Sequence, residues 1–391
     1  MTYQAAIKKL AFERFMMAPF VWLGKLAGLV FPLKTQHNIF LFFPNADIGG
    51  APRVNADITA LVKNDQPLAI FSKKPRNNLY RNQYEQSGVK IIDLHPYIDN
   101  KVFHFLNFFY RGLLSTWINK QANPVVFGGE SIFFYKVIPH LRKEIRCVEL
   151  THVDIWLPYS IGFIDRINAR VFSTRNGMLQ AEKQYKENGL PAHYFERLFF
   201  IDNAIDIPPV VSSDNQNLEV FFIGRGAPQK RVHLIAGIAS EIHARGLPVH
   251  FNFVGDVNAV LDISKYPYCT FFGVINDEAR MREIYQKADV LLLTSSFEGL
   301  PVVVMQMMAY GKVVVSTAVS GIPSYIQHDK NGLLLHATAE AAIVLEGVQA
   351  IEKLAYDPMQ RAALGEQARR DAIAQFSKEN FNRSYRKMLC I

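Results

Sequence analysis

The chain contains few cysteines and none of the cysteine pairs that bind zinc or carry a redox disulfide. Its three cysteines are Cys147, Cys269 and Cys390, which lie far apart in the 391-residue sequence. This spacing argues against a zinc site, a CxxC redox centre and a disulfide framework, and it fits a reducing compartment. An Asp-x-Asp metal motif is missing as well. Because no Ser–His–Asp or Cys–His arrangement and no obvious nucleophile emerge, neither a bound metal nor covalent catalysis is predicted.

Acidic residues are outnumbered, because 43 lysines and arginines accompany 35 aspartates and glutamates. The formal net charge of +8 points to an acidic partner, such as nucleic acid, anionic lipid or a phosphorylated small molecule. Nucleic acid is the weakest of these, because the basic residues are scattered and the aromatic ones lie in apolar runs rather than between cations. With 49% apolar residues, the chain is long enough for two or three globular domains.

Short apolar runs alternate with longer amphipathic stretches along most of the chain. The runs of the first half lie at 38–43, 68–71, 89–94, 124–129, 147–152 and 170–174. The alternation restarts with runs at 218–224, 250–255, 269–273, 290–295 and 312–317. Buried parallel strands joined by helices produce this pattern. The predicted fold class is therefore α/β, with two doubly wound domains that face each other across a cleft and bind ligands where their strands end.

These patterns divide the chain into five predicted parts. The segment IPPVVSSDNQN, rich in Pro, Ser and Asn, is the predicted linker between the two domains. The parts are an apolar basic amino-terminal segment at 1–36, an amino-terminal Rossmann-like domain at 37–206, the linker at 207–217, a carboxy-terminal Rossmann-like domain at 218–375 and a final helix at 376–391. The final helix is expected to pack back on the amino-terminal domain.

A single carboxylate, Glu298, stands just before an apolar run. Pro301 suits the first position of a helix and Gly311 suits the residue after its end, so a helix is predicted over 301–310. Unpaired N–H groups and the positive end of the helix dipole favour an anion in the preceding turn. Glu298 therefore either compensates the dipole or, together with the backbone that follows it, binds the phosphate or a hydroxyl of a ligand.

A glycine-rich loop with two cations lies between a strand and a helix at 221–238. Gly224 ends the strand, and Arg225 and Lys230 flank the loop. An arginine binds a diphosphate bidentately and a lysine adds a compact charge, so the pair can stabilise a departing nucleotide diphosphate without a metal. Taken singly, each cation is more often a solvated surface residue.

The carboxy-terminal half resembles the retaining glycosyltransferases of family 4, which have the GT-B fold. The matching segments are GRGAPQK (224–230), FVGD (253–256), the stretch 271–326 and NGLLL (331–335). The amino-terminal half matches more loosely, at 47–58, at His152 and at 201–206. The resemblance spans residues 37–388 and implies two Rossmann-like domains with the nucleotide sugar bound mainly by the second.

The resemblance also implies roles for individual residues. Arg225 and Lys230 would hold the donor diphosphate, and Glu298 would bond to hydroxyls of the transferred sugar. The other donor-binding positions would be the backbone at Gly49, Gly50, Gly224, Gly299, Leu300 and Pro301, and the side chain of His152. An ordinary tight turn is the alternative for the first two glycines, and a buried structural histidine is the alternative for His152.

One position departs from the family. A second glutamate usually follows the first by eight residues and binds the nucleotide ribose, and here that position is Gln306. An amide still bonds to a diol but loses charge assistance, a difference on the order of 1 kcal/mol per bond. Because Arg225, Lys230 and Glu298 are all present, the substitution predicts altered donor binding rather than lost activity.

The predicted function is a retaining, metal-independent glycosyltransferase of the hexosyltransferase type. It would move a sugar from a nucleotide-diphosphate sugar, its co-substrate, to a lipid-linked or cell-envelope glycan, with no further cofactor. A sugar-nucleotide epimerase is one alternative, but it would need further acidic residues poised for proton transfer. A non-catalytic carbohydrate-binding relative is another, but it would have little reason to keep a leaving-group clamp.

An apolar, aromatic segment fringed with positive charge lies at the amino terminus, at 15–34, after Lys8, Lys9 and Arg14. Pro19, Gly24, Lys25 and Gly28 interrupt it, so a helix in the membrane interface is expected rather than a spanning one, with a secretory signal as the alternative. A second stretch at 102–120 has a wide apolar face and either contacts the membrane or packs on the first sheet. We therefore expect a cytoplasmic protein peripheral on the inner face of the cytoplasmic membrane, held mainly by 8–34.

Overall fold

The chain forms two compact units, each built around its own parallel sheet. The computed structural model describes residues 2–47, 50–100, 104–209, 215–275, 277–298 and 301–391. Unit 1 comprises residues 1–203 and 381–391, and unit 2 comprises residues 204–380. Unit 1 includes the residues of the predicted amino-terminal segment 1–36. The predicted linker 207–217 falls within the span of unit 2, although residues 210–214 lie outside the described residues.

Unit 1 contains a seven-stranded parallel sheet within the described residues. Its order is β3-β2-β1-β4-β5-β6-β7, with strands β1 Ile39–Phe43, β2 Pro67–Phe71, β3 Lys90–Asp93, β4 Val125–Gly128, β5 Arg146–Thr151, β6 Ala169–Phe172 and β7 Leu198–Phe200. Every residue of β1, β2 and β4 is buried, which explains why these strands are continuous apolar runs. Only β7 escapes prediction, because it has three residues, all of them half-buried.

Helices cover both faces of this sheet and join its strands. They are α1 Tyr3–Val30, α2 Gly50–Leu61, α3 Arg81–Gln86, α4 His95–Ile98, α5 His104–Asn119, α6 Ile132–Val137, α7 Leu157–Ser160, α8 Arg175–Glu187 and α9 Ala192–Phe195. Short 3₁₀ turns lie at Ile138–His140, Asp154–Trp156 and Ile161–Arg166. The main core cluster combines strand residues such as Phe40 with Leu114 of α5 and Phe134 of α6.

Unit 2 contains a six-stranded parallel sheet within the described residues. Its order is β10-β9-β8-β11-β12-β13, with strands β8 Leu218–Ile223, β9 Val249–Val254, β10 Thr270–Gly273, β11 Val290–Leu293, β12 Val313–Thr317 and β13 Leu333–Leu335. Its helices are α10 Val232–Ala244, α11 Glu278–Lys287, α12 Val302–Ala309, α13 Glu340–Tyr356 and α14 Pro358–Phe376, with 3₁₀ turns at Pro228–Lys230, Ile263–Lys265 and Ile322–Ser324. The last helix, α15 Lys378–Leu389, begins in unit 2 and belongs to unit 1 from Phe381 onward. Two Rossmann-like parallel sheets confirm the predicted fold class.

Each sheet reverses its strand order once, and ligands of doubly wound sheets bind at such switch points. In unit 1 the reversal lies between β1 and β4, and in unit 2 it lies between β8 and β11. The loops that follow these four strands are therefore the places where the fold positions candidate ligand-binding residues.

Helix α1 is continuous from Tyr3 to Val30, so Pro19, Gly24, Lys25 and Gly28 interrupt the apolar run but not the helix. Its glycines serve packing instead. A Cβ atom at Gly24 would lie 1.9 Å from the carbonyl oxygen of Phe109, and one at Gly112 of α5 would lie 1.9 Å from the carbonyl oxygen of Val21. The two helices therefore touch backbone to backbone, which only glycine permits. Among the described helices, none has the length and apolar character needed to span a bilayer.

The polar residues of α5 recur every four positions, but the structure buries them. Arg111 is 6% exposed and Ser115 is fully buried. The Arg111 guanidinium donates to Oδ1 of Asn107 at 2.8 Å and to Oε1 of Glu13 in α1 at 3.1 Å. Leu114 and its neighbours on another face of α5 join the core of the first sheet. Of the two readings of residues 102–120, the structure shows the one in which the helix packs on the sheet.

Candidate functional site

Two loops at the switch point of unit 2 bring together residues that were predicted from separate motifs. The ammonium group of Lys230, in the loop after β8, forms an ion pair with Oε1 of Glu298, in the loop after β11. Ser295 Oγ donates a 2.7 Å hydrogen bond to the same oxygen. The Glu298 side chain is 8% exposed, so its charge needs these partners. Within the described residues both contacts fall on Oε1.

Backbone contacts hold the two loops together. The guanidinium of Arg231 donates to the carbonyl oxygens of Thr294 at 2.6 Å and Ser295 at 3.0 Å. The amide of Ser296 donates to the carbonyl oxygen of Gln229 at 2.8 Å. Arg231 has the left-handed backbone conformation, φ 46° and ψ 47°, an unusual arrangement for a residue with a long side chain. This strained residue turns the chain into α10 while its side chain fixes the loop that carries Glu298.

Close backbone packing gives the glycine-rich loop its shape. The Gly226 amide donates to the carbonyl oxygen of Asp256 at 2.8 Å, and a Cβ atom at Gly226 would lie 2.3 Å from that oxygen. Gly255, with φ +122°, lies against the carbonyl oxygen of Gly224, where a Cβ atom would come within 2.0 Å. The loop after β8 therefore rests on the loop after β9, and side chains are excluded from the contact.

Arg225 lies in the same loop, and its side chain is exposed. No hydrogen bond or ion pair ties it to another of the residues that the structure describes. Gly224 is half-buried at the end of β8. The structure thus separates the two predicted cations by environment, because Lys230 is already paired with a carboxylate whereas Arg225 reaches solvent.

Helix α12 begins one residue later than predicted, at Val302, and Pro301 is its N-cap. Gly311 has φ +71° just beyond the helix, the conformation expected for a glycine that ends a helix. Gln306 lies in the middle of α12 and is half-buried. Gly299 and Leu300 lie outside the described residues, and so does Gly49 of unit 1. Gly50 is the first residue of α2 and is exposed.

A cavity of about 570 Å³ lies at the switch point of unit 1. It is bordered by residues that follow β1, β2, β4 and β5 and by residues of α2 and α5. Its lining is rich in amide, hydroxyl and carboxyl groups, from Asn45, Asn55, Ser72, Asn107, Glu130, Ser131 and His152. Such a lining offers many hydrogen-bond donors and acceptors and suits a ligand rich in hydroxyl groups.

His152 stands at the edge of this cavity, beside a carboxylate that the sequence analysis did not identify. Glu130 Oε1 accepts the backbone amides of His152 at 2.8 Å and Val153 at 2.9 Å. Burial raises the pKa of Glu130, which has φ 52° immediately after the close glycine contacts of β4. Burial lowers the pKa of His152 to about 4, so its ring is neutral near pH 7. Nδ1 lies 3.0 Å from Ser173 Oγ, and the buried Nε2 has no partner among the described residues.

The sequence analysis missed the residues that hold others in place. Arg231, Ser295 and Glu130 each bond to a predicted residue or to its loop. For Arg231 and Ser295 no sequence signal was available beyond their position next to a predicted residue. Glu130 follows two glycines at the end of a strand, and this arrangement could have indicated it. Within the described residues, no group of three or more His, Cys, Asp or Glu side chains is placed to hold a metal ion.

Comparisons with known proteins agree with this architecture. Residues 217–354 match the family model described as glycosyl transferases group 1. The crystal structure of Anabaena Alr3699/HepE in complex with UDP has a TM-score of 0.67 at 16% identity, covering 90% of this chain and 99% of that one. The chain thus has the fold of the GT-B glycosyltransferases. Its carboxy-terminal unit carries the match to group 1 of the glycosyl transferases, and the predicted resemblance is confirmed at this level.

Two curated relatives match part of the chain. The uncharacterized glycosyltransferase MJ1607 of Methanocaldococcus jannaschii is 22% identical over 199 residues, which cover 49% of this chain and 50% of that protein. The alpha-maltose-1-phosphate synthase of Mycolicibacterium smegmatis is 32% identical over 169 residues, which cover 40% of this chain and 44% of that protein. The chain spans about half the length of the curated relatives it matches.

Proposed function

We propose that this protein is a glycosyltransferase that moves a sugar from a nucleotide-diphosphate sugar to a hydroxyl group of an acceptor. The observation that carries the proposal is the ion pair between half-buried Lys230 and buried Glu298, at the switch point of a doubly wound sheet and beside a glycine-rich loop. The likeness to a protein solved with UDP and with UDP-glucose supports a nucleotide sugar as donor.

The proposed mechanism depends on the negative charge that develops on the diphosphate as it leaves the sugar. As the acceptor hydroxyl bonds to the anomeric carbon, the bond from that carbon to the diphosphate oxygen breaks, and the hydroxyl proton passes to the released diphosphate. Negative charge grows on the leaving oxygen, and Arg225 and Lys230 are the cations of the loop that stabilise it without a metal ion. The carboxylate of Glu298 accepts hydrogen bonds from sugar hydroxyls through Oε2, which holds the anomeric carbon in place.

Retention of configuration is part of the same proposal. The acceptor oxygen enters and the diphosphate leaves on the same face of the sugar. This reaction therefore requires no protein nucleophile on the opposite face. The name alpha-maltose-1-phosphate synthase specifies an alpha product for one relative, which corresponds to retention when the donor sugar is also alpha-linked. The amide of Gln306 takes the ribose position, where it accepts and donates hydrogen bonds without charge.

A ligand screen tests the proposal directly. Nucleotide-diphosphate sugars with different bases and sugars are added to the purified full chain, and thermal unfolding is followed. A ligand at 100 times its Kd stabilises the folded state by about 2.7 kcal/mol, so we expect at least one nucleotide sugar to raise the Tm of unit 2. The matched variant Lys230→Ala should lose most of this shift, whereas Lys265→Ala, an exposed lysine of unit 2, should keep it. No stabilisation by any nucleotide sugar would contradict the proposal.

For the acceptor, we propose a glycan that is lipid-linked or part of the cell envelope, presented at the inner face of the cytoplasmic membrane. The outer face of α1 exposes large apolar side chains, among them Phe15 at 77%, Trp22 at 61% and Leu29 at 54%. The exposed cations Lys8, Lys9, Arg14 and Lys34 border this face. An apolar face with a basic fringe suits the interface of an anionic bilayer.

Liposome flotation tests this location. The full chain should float with anionic vesicles at low salt and less so at high salt, because each cation near the surface contributes about 1 kcal/mol and salt screens it. Phe15→Glu with Trp22→Glu should abolish flotation, because charged groups replace the inserted ones. Deleting α1 is a poorer test, since it would uncover Gly112 and the buried polar face of α5. A wild-type chain that stays with the soluble fraction would favour a soluble acceptor.

A further inference from the structure

A second cavity, of about 240 Å³, lies beneath α1 in unit 1. It is enclosed by α1, α5, α6 and the 3₁₀ turns at Ile138–His140 and Ile161–Arg166. Its ionisable lining is unbalanced, with the four cations Arg14, Arg111, Lys136 and Arg166, the two carboxylates Glu13 and Asp165, and His140. None of these residues belongs to the proposed donor site, and of them the sequence analysis singled out only Arg14, as part of the basic fringe of the amino-terminal segment.

One carboxylate, that of Glu13, is the ionic partner of two cations in this cavity. Glu13 forms ion pairs with Arg111, which is 7% exposed, and with Lys136, which is 11% exposed. Burial lowers the pKa of Arg111 and of Lys136, the direction expected where loss of solvation outweighs the attraction of the one carboxylate that they share. A buried cation without a full partner is costly, so this pair favours an added anion.

The other charges do not remove this imbalance. Asp165 accepts hydrogen bonds from the hydroxyl groups of Tyr3, at 2.7 Å, and Tyr194. Arg166 donates to backbone carbonyl oxygens, including that of Arg142 at 2.9 Å. Burial lowers the pKa of His140 to about 3, so its ring adds no charge near pH 7.

The cavity continues into an open apolar groove along α1. The groove has a volume of about 920 Å³ and shares Arg14 and His140 with the cavity. Its remaining lining includes Phe15, Pro19 and Trp22, with Lys25 at one side. A cationic pocket that opens into an apolar channel matches a ligand with an anionic head and a hydrocarbon chain.

We propose that this cavity and groove bind a lipid phosphate, with the phosphate at Arg14, Arg111 and Lys136 and the hydrocarbon chain along Phe15 and Trp22. The inference rests on the proposed function, because it makes the lipid phosphate the carrier of the acceptor glycan. Helix α5 lines both the polar cavity at the switch point and the cationic cavity beneath α1. Asn107 lines the polar cavity at the switch point, and Arg111, one helical turn later and about 6 Å away, lines the cationic one. A sugar attached to the bound phosphate therefore lies next to the hydroxyl-binding cavity.

The test is direct binding of dodecyl phosphate to the full chain, below the concentration at which it forms micelles. Dodecanol and inorganic phosphate are the comparison ligands, and calorimetry is the readout. We expect dodecyl phosphate to bind at least about tenfold more tightly than either, because only this ligand combines charged hydrogen bonds from its head group with burial of an apolar chain. Lys136→Met and Arg14→Ala should weaken binding by about tenfold, whereas Lys8→Ala, an exposed lysine of α1 outside the lining, should not.

Three results would overturn the inference: equal affinity for dodecanol, equal affinity for inorganic phosphate, or equal effects of Lys8→Ala and Arg14→Ala. The exposed Arg14 keeps the test valid if Lys136→Met fails to fold. Binding of the nucleotide sugar, measured on the same samples, separates the two proposals. Loss of lipid phosphate binding with intact donor binding would refute this inference alone, and the reverse would refute the proposed function alone.

Discussion

The two candidate ligand-binding regions of this protein are built in different ways. In unit 2, two short loops at 224–231 and 294–298 carry the charged residues and bond to each other through their backbones. In unit 1, the polar cavity draws on single residues that follow four different strands and on two helices. The residues of the first region can be recognised in two contiguous motifs, whereas those of the second are dispersed along the sequence of unit 1.

This difference corresponds to the two proposed roles. The loops of unit 2 bind a diphosphate that is the same in every donor, and the cavity of unit 1 recognises an acceptor that varies between enzymes. A diphosphate leaving group has the same charge whatever sugar it carries, so the loops of unit 2 can be fixed by close glycine contacts. An acceptor differs from one glycosyltransferase to another, and side chains on separate loops can be replaced one at a time. The comparison leads to four predictions, ordered from the largest expected effect to the smallest.

The largest effect should come from the cations of unit 2. Lys230→Ala and Arg225→Ala should each lower turnover by at least about 100-fold, the scale for removing a preorganised charge from a leaving group. Initial rates of nucleoside diphosphate release measure this. The control is Arg245→Ala, which removes an exposed ion pair with Glu352 in the same unit. Full activity in either test variant would show that these loops do not hold the leaving group.

The second-largest effect, a loss of donor affinity, should come from crowding the backbone of the glycine-rich loop after β8. In Gly226→Ala the new Cβ atom would lie 2.3 Å from the carbonyl oxygen of Asp256, so the loop must shift. Overpacking costs about 1–3 kcal/mol, and we expect donor affinity to fall roughly tenfold. Gly237→Ala is a matched control, because its Cβ would meet Val344 at an ordinary 3.5 Å. Equal donor affinity in the two variants would show that the loop's shape is not what binds the donor.

Substitutions of Gln306 test whether this residue binds the ribose of the donor together with the loops of unit 2. Gln306→Glu should preserve or tighten donor binding, because a carboxylate strengthens hydrogen bonds to a diol. Gln306→Leu should weaken binding by roughly 1–2 kcal/mol. Calorimetric titration of the donor distinguishes these cases, and equal affinities in all three proteins would place this residue outside the donor site.

The smallest effect concerns two half-buried histidines of unit 1, His140 and His152. The pKa values of His140 and His152, about 3 and about 4, lie below the ordinary value of about 6.5. The unfolded chain therefore binds more protons between about pH 6.5 and pH 4, and the stability present above that range is lost as the pH falls through it. The Tm of unit 1 should decline across this window, and less steeply in His140→Asn. An identical decline in His140→Asn and in His193→Asn, which alters an exposed histidine, would contradict this.

Sequence patterns were sufficient to predict most strands of the two sheets and the two charged loops of unit 2. Long runs of Val, Ile and Phe identify strands that are buried on both faces, whereas β7 and β13, with three residues each, are too short to show a pattern. Lys230 and Glu298 were both recognisable, but their contact depends on β8 and β11 being neighbours in the sheet. Strand order is a property of the whole unit.

The polar face of α5 shows where such reasoning fails. Spacing reveals that Arg111 and Ser115 share a face, but it does not reveal what covers that face. Here the cover is α1, which supplies Glu13 as the ionic partner of Arg111. Likewise, Glu130 acquires its role from the backbone amides of residues 152 and 153, which β5 brings beside it. Partners distant in sequence cannot be inferred from local pattern alone.

The glycine contact between α1 and α5 has a further consequence for which hydroxyl group is modified. Because the helices touch backbone to backbone at Gly24 and Gly112, they cannot slide past each other without a clash. Asn107, which lines the polar cavity, and Asn119 lie about 18 Å apart along the axis of α5. In the proposed arrangement, in which α1 rests on a bilayer, the fixed position of α5 would set the distance of the polar cavity from the lipid headgroups. That distance would select which sugar of a membrane-bound glycan reaches the cavity.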